Sequence, residues 1–222
     1  MRIGLEFAKT GMVKYISHLD LQRAFSRAIR RSGLPVRLSQ GFNPHYVVSF
    51  ASALALGVES ECECVEMALS EEMDATDFLR RIAPALPPGI EARRAMRLKD
   101  GGHKLMAAMR ETEYRIDLRN MDMDEINRAV CDIMNEDEIS ATKHAKGKDK
   151  TFNMREMILD MKVSGDALVM RLAAGPSGSL KPDFVIEEIR RRAGGFDYSA
   201  VRTGLFAHSA GQAAGLLETC GG

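Results

Sequence analysis

Residues 2–35 read RIGLEFAKTGMVKYISHLDLQRAFSRAIRRSGLP and predict a strand followed by an amphipathic helix. In residues 2–8, large apolar residues alternate with polar or small ones, which is the period of a strand with one buried face. Ser17 is the expected N-cap of the helix, with Asp20 three positions later in the manner of a capping box. Gly33 provides the expected stop.

The predicted helix has one apolar face and one basic face. Its apolar residues recur at helical spacing and predict a side packed on the sheet; they are Leu21, Phe25, Ala28 and Ile29. Four guanidinium groups recur at the same intervals on another face; they belong to Arg23, Arg27, Arg30 and Arg31. The helix is therefore expected to pack on one side and to present a row of arginines on the other.

The rest of the first half completes a strand, helix, strand, strand, helix, strand order. Extended segments are predicted at residues 36–38 and 46–53 around a turn, then a strand at 61–69, a helix at 74–83 and a strand at 90–98. This order is that of the ferredoxin-like fold, in which two helices cover one face of an antiparallel sheet.

The second half repeats the pattern less clearly. We predict strands at residues 114–118, 139–144, 158–163, 167–173 and 201–207, with helices at 122–135 and 182–192. The expected fold class is α+β, with two tandem ferredoxin-like (βαββαβ) halves and antiparallel sheets. The first domain is predicted at 1–99 and the second at 105–208, joined by a Gly-rich linker, with a flexible tail at 209–222.

Charge is segregated along the chain although the net charge is zero. The 222 residues hold 31 basic and 31 acidic side chains. Residues 1–50 carry eight lysines or arginines against two acids, whereas residues 59–77 carry eight acids and no base. Such a chain can fold with one basic face and one acidic face. This segregation of charge indicates an anionic partner, which the net charge of zero does not reveal.

Composition predicts a globular protein of the reducing cytoplasm. No run of about 18 apolar residues occurs, and the amino-terminal stretch carries charges where a signal peptide would be apolar. We therefore expect no membrane segment. Four irregularly spaced cysteines do not suggest a disulfide framework. Cys62 and Cys64 would share one face of a strand, as in a metal site, but burial is the favoured interpretation and no metal is expected.

One set of motifs resembles a known family. The stretches ISHLDLQR (residues 16–23), SQGFNPH (39–45) and SFA (49–51), with GSLKPD (178–183) and VRTGL (201–205), resemble the radical-SAM-linked family of uncharacterised proteins. Members are encoded beside, or fused to, radical SAM enzymes. The family pattern continues His-Pro where this chain has a tyrosine after His45. The resemblance implies a radical SAM protein as partner and a link to RNA modification, and it implies no mechanism.

Radical SAM chemistry itself is not expected in this chain. A radical SAM cluster needs three closely spaced cysteine thiolates, and no such triplet occurs in the sequence. We therefore expect an accessory subunit that has no cofactor and is not the catalyst, and no catalytic residue is assigned.

The candidate site combines the helix start, the arginine row and the following turn. The predicted RNA- or anion-binding residues are His18, Arg23, Arg27, Arg30, Arg31, Ser39, Asn43 and His45. A purely structural interpretation gives these residues capping, turn and solvated roles instead. We further predict that the two imidazoles, His18 and His45, lie within about 15 Å of each other and share one pocket with Arg23 and Asn43.

Three functions fit these observations. The leading hypothesis is a module that binds structured RNA, such as tRNA or ribosomal RNA, for a radical SAM partner. The second is a protein-protein interaction subunit of that enzyme, which would dock through the acidic and basic blocks. The third is a metal-independent ribonuclease of ferredoxin-like fold, with His18 or His45 as general acid or base and an arginine that stabilises the transition state.

Overall fold

The computed structural model describes residues 1–145 and 148–222, which form an α+β fold with a mostly antiparallel sheet. The strands of this part are β1 (Arg2–Lys9), β2 (Val48–Phe50), β3 (Glu59–Ala68), β4 (Ile90–Arg97), β5 (Met109–Arg119), β6 (Ser140–Ala145), β7 (Lys148–Asn153), β8 (Ile158–Ser164), β9 (Ala167–Ala173), β10 (Asp197–Ser209) and β11 (Gln212–Gly215). The α-helices are α1 (His18–Ser32), α2 (Ala75–Ile82), α3 (Leu105–Ala108), α4 (Met123–Asn135), α5 (Pro182–Ala193) and α6 (Leu216–Cys220). No helix in the described residues is long and apolar enough to cross a membrane.

The chain divides into two compact units. Unit 1 comprises Met1–Arg110 together with Arg202–Gly222, and unit 2 comprises Glu111–Val201. The sequence predicted one boundary near residues 100–104, and the structure places it a few residues later. The end of the chain also returns to unit 1, which is a long-range feature that local sequence patterns do not carry.

The sheet of unit 1 is centred on β1. This strand pairs antiparallel with β3 on one side and with β4 on the other, so that Leu5 lies opposite Val65 and Ala95. β2 pairs antiparallel with β3 and places Phe50 opposite Val65. The strand predicted at residues 46–53 is therefore much shorter than expected.

The core of unit 1 lies between this sheet and the helices α1 and α2. Ile3, Leu5 and Phe7 of β1 are fully buried, as the sequence predicted. The opposite face of the strand is also partly covered, since Gly4 and Ala8 are buried too. Phe7 packs against Phe25 of α1 with ring centroids 4.9 Å apart, and Phe50 contacts both rings edge-on. Three aromatic side chains thus connect the first strand, the first helix and β2.

Residues 209–222, which were expected to form a flexible tail, form secondary structure in unit 1. β11 pairs with β10, and the helix α6 follows it. Leu216 and Leu217 of α6 are buried. Gly4 of β1 makes room for Leu217, because a β-carbon at position 4 would collide with its Cδ1 atom. The packing partner lies more than 200 residues away in sequence, and so the local pattern could not reveal it.

Unit 2 contains a three-strand antiparallel group in the order β5-β9-β8, and its helices α4 and α5 contact each other. The strands predicted at residues 158–163 and 167–173 are present as the antiparallel pair β8-β9, and the helices predicted at 122–135 and 182–192 are present as α4 and α5. The segment predicted as one strand at residues 139–144 is instead the first arm of a separate hairpin, β6-β7. Its second arm, KDKTFN, is highly polar, and for this reason its sequence did not predict a strand.

Candidate functional site

The first turn of α1 is fixed by a reciprocal cap. The Ser17 hydroxyl accepts a hydrogen bond from the backbone N–H of Asp20 (3.1 Å) and donates one to the Asp20 carboxylate (2.7 Å). The other carboxylate oxygen pairs with Arg23 at 3.0 Å. Hydrogen bonds from Ser17 and then from Arg23 lower the pKa of Asp20. The predicted capping box is confirmed, and it also engages the first arginine of the basic face.

The four arginines of the predicted row differ in whether they have a bonding partner within the protein. Arg23 is ion-paired to Asp20, and Arg31 donates to the backbone carbonyl of Ala85. Arg27 and Arg30 are exposed and have no ion-pair partner among the described residues. These two guanidinium groups are therefore the ones in the row that remain available to bind an external anion.

The turn at residues 39–45 is closed by Ser39 and His45. Backbone N–H of Ser39 donates to the carbonyl of His45 (2.7 Å), and backbone N–H of His45 donates to the Ser39 hydroxyl (3.1 Å). The same hydroxyl lies 2.9 Å from Nδ1 of His45. The imidazole is thus oriented through Nδ1. Gly41 adopts φ 122°, a conformation that other residues rarely tolerate.

α1 and this turn form a pocket of about 500 Å³. Arg27 and Arg30 line it from the helix, and His45 lines it from the turn. Leu38, Pro44 and Tyr46 supply an apolar wall. The arrangement places three groups that can bind phosphate beside a hydrophobic surface.

His18 lies in a different environment. It is half-buried, its ring packs edge-on against Phe50 at 5.2 Å, and its Nε2 lies 3.2 Å from the side-chain nitrogen of Gln22. Of the four residues predicted to share one pocket, only His45 lines it, and His18, Arg23 and Asn43 do not. An α-helix rises about 1.5 Å per residue, so nine residues separate His18 from Arg27 by about 13 Å along the axis. The turn lies beside Arg27 and Arg30 in the second half of α1. The sequence had predicted that the turn would lie beside the start of this helix.

Phe42 was missed by sequence reasoning. It stands at the tip of the turn, flanked by Gly41 and Asn43, and its side chain is fully exposed. The neighbouring Leu38 is 55% exposed. The signal in the sequence was a large apolar residue between two turn-forming residues. A turn does not need an aromatic ring for packing, so such a ring indicates a binding role.

A buried group of charges, also missed, lies in unit 1. Glu63 and Arg202 are buried and form an ion pair of 2.8 Å. Lys9 is only 2% exposed, and its ammonium donates to the backbone carbonyls of Lys14 and Ile16 at 3.4 Å. Burial lowers the pKa of Lys9, and Glu63 opposes that shift. Lys9 thereby anchors the segment that leads into α1.

Cys62 and Cys64 are thiols of the strand β3. Burial raises the pKa of Cys62 to about 12 and also raises the pKa of Cys64. Both thiols are therefore protonated near neutral pH. Among the side chains that the structure describes, those of residues 1–143 and 149–222, no three His, Cys, Asp or Glu groups lie together so that they could hold a metal ion.

Residues 2–182 match the protein family described as "Uncharacterized protein conserved in bacteria (DUF2344)". The chain belongs to this family. The match includes the whole of α1, the turn at residues 39–45 and the pocket between them. No curated protein matches the chain. The match therefore establishes kinship with conserved bacterial proteins.

Proposed function

We propose that this DUF2344 protein is an accessory RNA-binding module that works with a radical SAM enzyme in RNA modification. The observation that carries the proposal is the pocket in which the exposed Arg27 and Arg30 lie beside the oriented imidazole of His45. Phe42 extends from the same turn into solvent.

The chemistry of these groups fits RNA better than it fits a simple anion. Arginine grips phosphate oxygens in a bidentate manner, and exposed aromatic rings stack on unpaired bases. Arg27, Arg30 and the nearby exposed Arg37 have no ion-pair partner among the residues described. A phosphate backbone would supply the missing negative charge, and a base could stack on Phe42.

The radical SAM partner is proposed from the sequence resemblance. The motifs at residues 16–23 and 39–45 carry that resemblance, and they supply α1 and the turn of the pocket. The sequence lacks the cysteine triplet of a radical SAM cluster. The partner would therefore perform the chemistry, and this chain would hold the RNA.

We propose a ferredoxin-like topology for unit 1. Its support is the antiparallel strand order β4-β1-β3-β2, with α1 and α2 contributing buried residues to one core. We propose the same topology for unit 2 from the antiparallel order β5-β9-β8 and the contact between α4 and α5. The hairpin β6-β7 would be an insertion in that unit.

Electrophoretic mobility shifts with total cellular RNA test the proposal. Binding is expected at about 50 mM salt and should weaken steeply as salt rises, because phosphate neutralisation releases counterions. Absence of a shifted RNA band at low salt would rule out the RNA-binding function. Co-purification of a radical SAM enzyme with this chain tests the proposed partner separately.

A protein-interaction subunit is the second candidate, and a specific surface favours it. Met12 and Tyr15 of the 3-10 helix Gly11–Tyr15 are 80% and 60% exposed, and Leu56 is 65% exposed. The loop after Leu56 reaches the same helix, because Gly57 N–H donates to the Lys14 carbonyl (3.1 Å). Large exposed apolar groups are common at docking surfaces. Capture of the enzyme without any RNA affinity would support this candidate over the first.

A further inference from the structure

A second pocket in unit 1 is lined by cationic and titratable groups. It has a volume of about 280 Å³, and its polar side chains include Lys99, His103, Arg110 and His208. In the part of the chain that the structure describes, no carboxylate lines it. We infer that this pocket binds the phosphoryl group of a small molecule, such as a diphosphate or a phosphorylated metabolite.

The wall formed by residues 99–103 is held in place by Arg2. One nitrogen of its guanidinium donates to the carbonyls of Lys99 and Gly102, both at 2.8 Å, and another contacts the carbonyl of His103 at 3.4 Å. The backbone N–H of Lys99 donates to the carbonyl of Cys220 at 3.0 Å. Strand β1 and helix α6 thereby fix the loop, and a fixed loop loses little conformational freedom when a ligand binds.

The charged groups are positioned by the remaining walls. The Lys99 ammonium donates to the Thr219 carbonyl (3.2 Å), and both residues line the pocket. Arg110 uses one guanidinium nitrogen, Nη1, for the carbonyls of Ala107 and Met109. Its Nε and Nη2 have no partner among the described residues, so donors remain for a ligand.

The chemistry of the lining selects a compact, multiply charged oxyanion. Phosphoryl oxygens accept hydrogen bonds from ammonium, guanidinium and imidazole groups. Burial raises the pKa of Cys220, so this lining residue contributes a neutral thiol and no negative charge. The volume lies just below the range of about 300–1,000 Å³ of drug-sized ligand pockets, as suits a small phosphorylated compound.

This inference is independent of the RNA-binding function. The second pocket shares no residue with the pocket of Arg27, Arg30 and His45. Failure of one proposal therefore does not contradict the other.

Titration of the full-length protein with inorganic pyrophosphate, followed by two-dimensional ¹H–¹⁵N NMR, tests the inference. We expect saturable shifts of the amides of residues 99–110 and 207–208. The double substitution His103→Gln with Arg110→Gln should weaken pyrophosphate binding by about tenfold or more, because charge-assisted hydrogen bonds are lost. The matched control is Lys104→Gln, which removes an exposed positive charge next to His103 but outside the pocket.

The outcomes separate a built site from diffuse attraction. Selective loss in the double variant, with unchanged affinity in the control, supports the inference, and the amide spectrum of each variant reports whether it is folded. An equal loss of pyrophosphate affinity in the Lys104→Gln control would overturn the inference. The absence of saturable amide shifts would also overturn it. So would amide shifts that appear only with an RNA oligonucleotide at the same phosphate concentration.

Discussion

The hydroxyl of Ser39 lies 2.9 Å from Nδ1 of His45 and also accepts a hydrogen bond from the backbone N–H of that residue. One side chain therefore closes the turn and orients the imidazole that lines the pocket beside α1. These contacts hold the ring in one orientation on the turn, and such preorganisation increases affinity by reducing the entropy lost on binding.

Ser39→Ala should weaken RNA binding because the imidazole loses its orienting contact. We expect a loss of about 1 kcal/mol in unfolding free energy from the hydrogen bonds and a several-fold loss in RNA affinity. The control Ser70→Ala removes a hydroxyl that donates to the Pro35 carbonyl outside the turn. Equal RNA affinity of the two variants would show that the orientation of His45 is irrelevant.

Phe42→Ala should weaken RNA binding without destabilising the fold. A base stacked on an aromatic ring contributes about 1–3 kcal/mol, whereas the fully exposed ring adds little to the folded state. Filter binding with a single-stranded oligonucleotide measures the first effect and chemical denaturation measures the second. Leu56→Ala is the matched control, and an equal loss in both variants would argue against stacking.

The cap of α1 should make a pH-dependent contribution to stability. The pKa of Asp20 is lowered in the folded state by Ser17 and Arg23. A lowered carboxyl pKa adds stability above the ordinary value of about 3.9, and that stability is lost as pH falls through the folded-state pKa. Ser17→Ala should therefore destabilise the protein by about 1 kcal/mol at pH 7 and by clearly less at acidic pH. Urea denaturation measures the loss of unfolding free energy caused by Ser17→Ala. An equal loss at pH 7 and at acidic pH would contradict this interpretation.

Residues 216–220 should contribute to the stability of unit 1 because Leu217 fills the space above Gly4. Leu217→Ala is expected to cost about 2–5 kcal/mol, as for other buried leucines. Gly4→Ala should cost about 1–3 kcal/mol by overpacking. The double variant should cost less than the sum, since the smaller side chain at 217 admits the new methyl group. Additive costs in thermal denaturation would mean that the two positions do not touch.

Local signals in the sequence were sufficient to predict α1, since Ser17, Gly33 and the apolar spacing all act within the helix or next to it. The capping contact of Asp20 and its pairing with Arg23 also lie within one turn. By contrast, Arg31 bonds to Ala85, and Leu217 packs on Gly4. These contacts join segments that are far apart in the sequence. The hydrophobic pattern within one segment does not specify which distant segment packs against it.

The position of the pocket could not be predicted for a similar reason. Three residues selected from the sequence, Arg27, Arg30 and His45, line one pocket. The sequence grouped His45 with His18 at the helix start, and His18 does not line that pocket. The bridge between Val36 and Leu69 ties the segment before the turn to the end of β3, and such a long-range contact is not specified by the local sequence.

The most direct measurement is the salt dependence of RNA affinity for the double variant Arg27→Gln with Arg30→Gln. Its control, Arg80→Gln with Arg93→Gln, removes the same charge from two arginines that are already paired with Asp77 and Glu91. The RNA-binding account predicts that the pocket variant loses affinity and that its slope of log K against log salt falls by about 1.5, consistent with two lost phosphate contacts. Identical affinities and slopes for the two variants would contradict it.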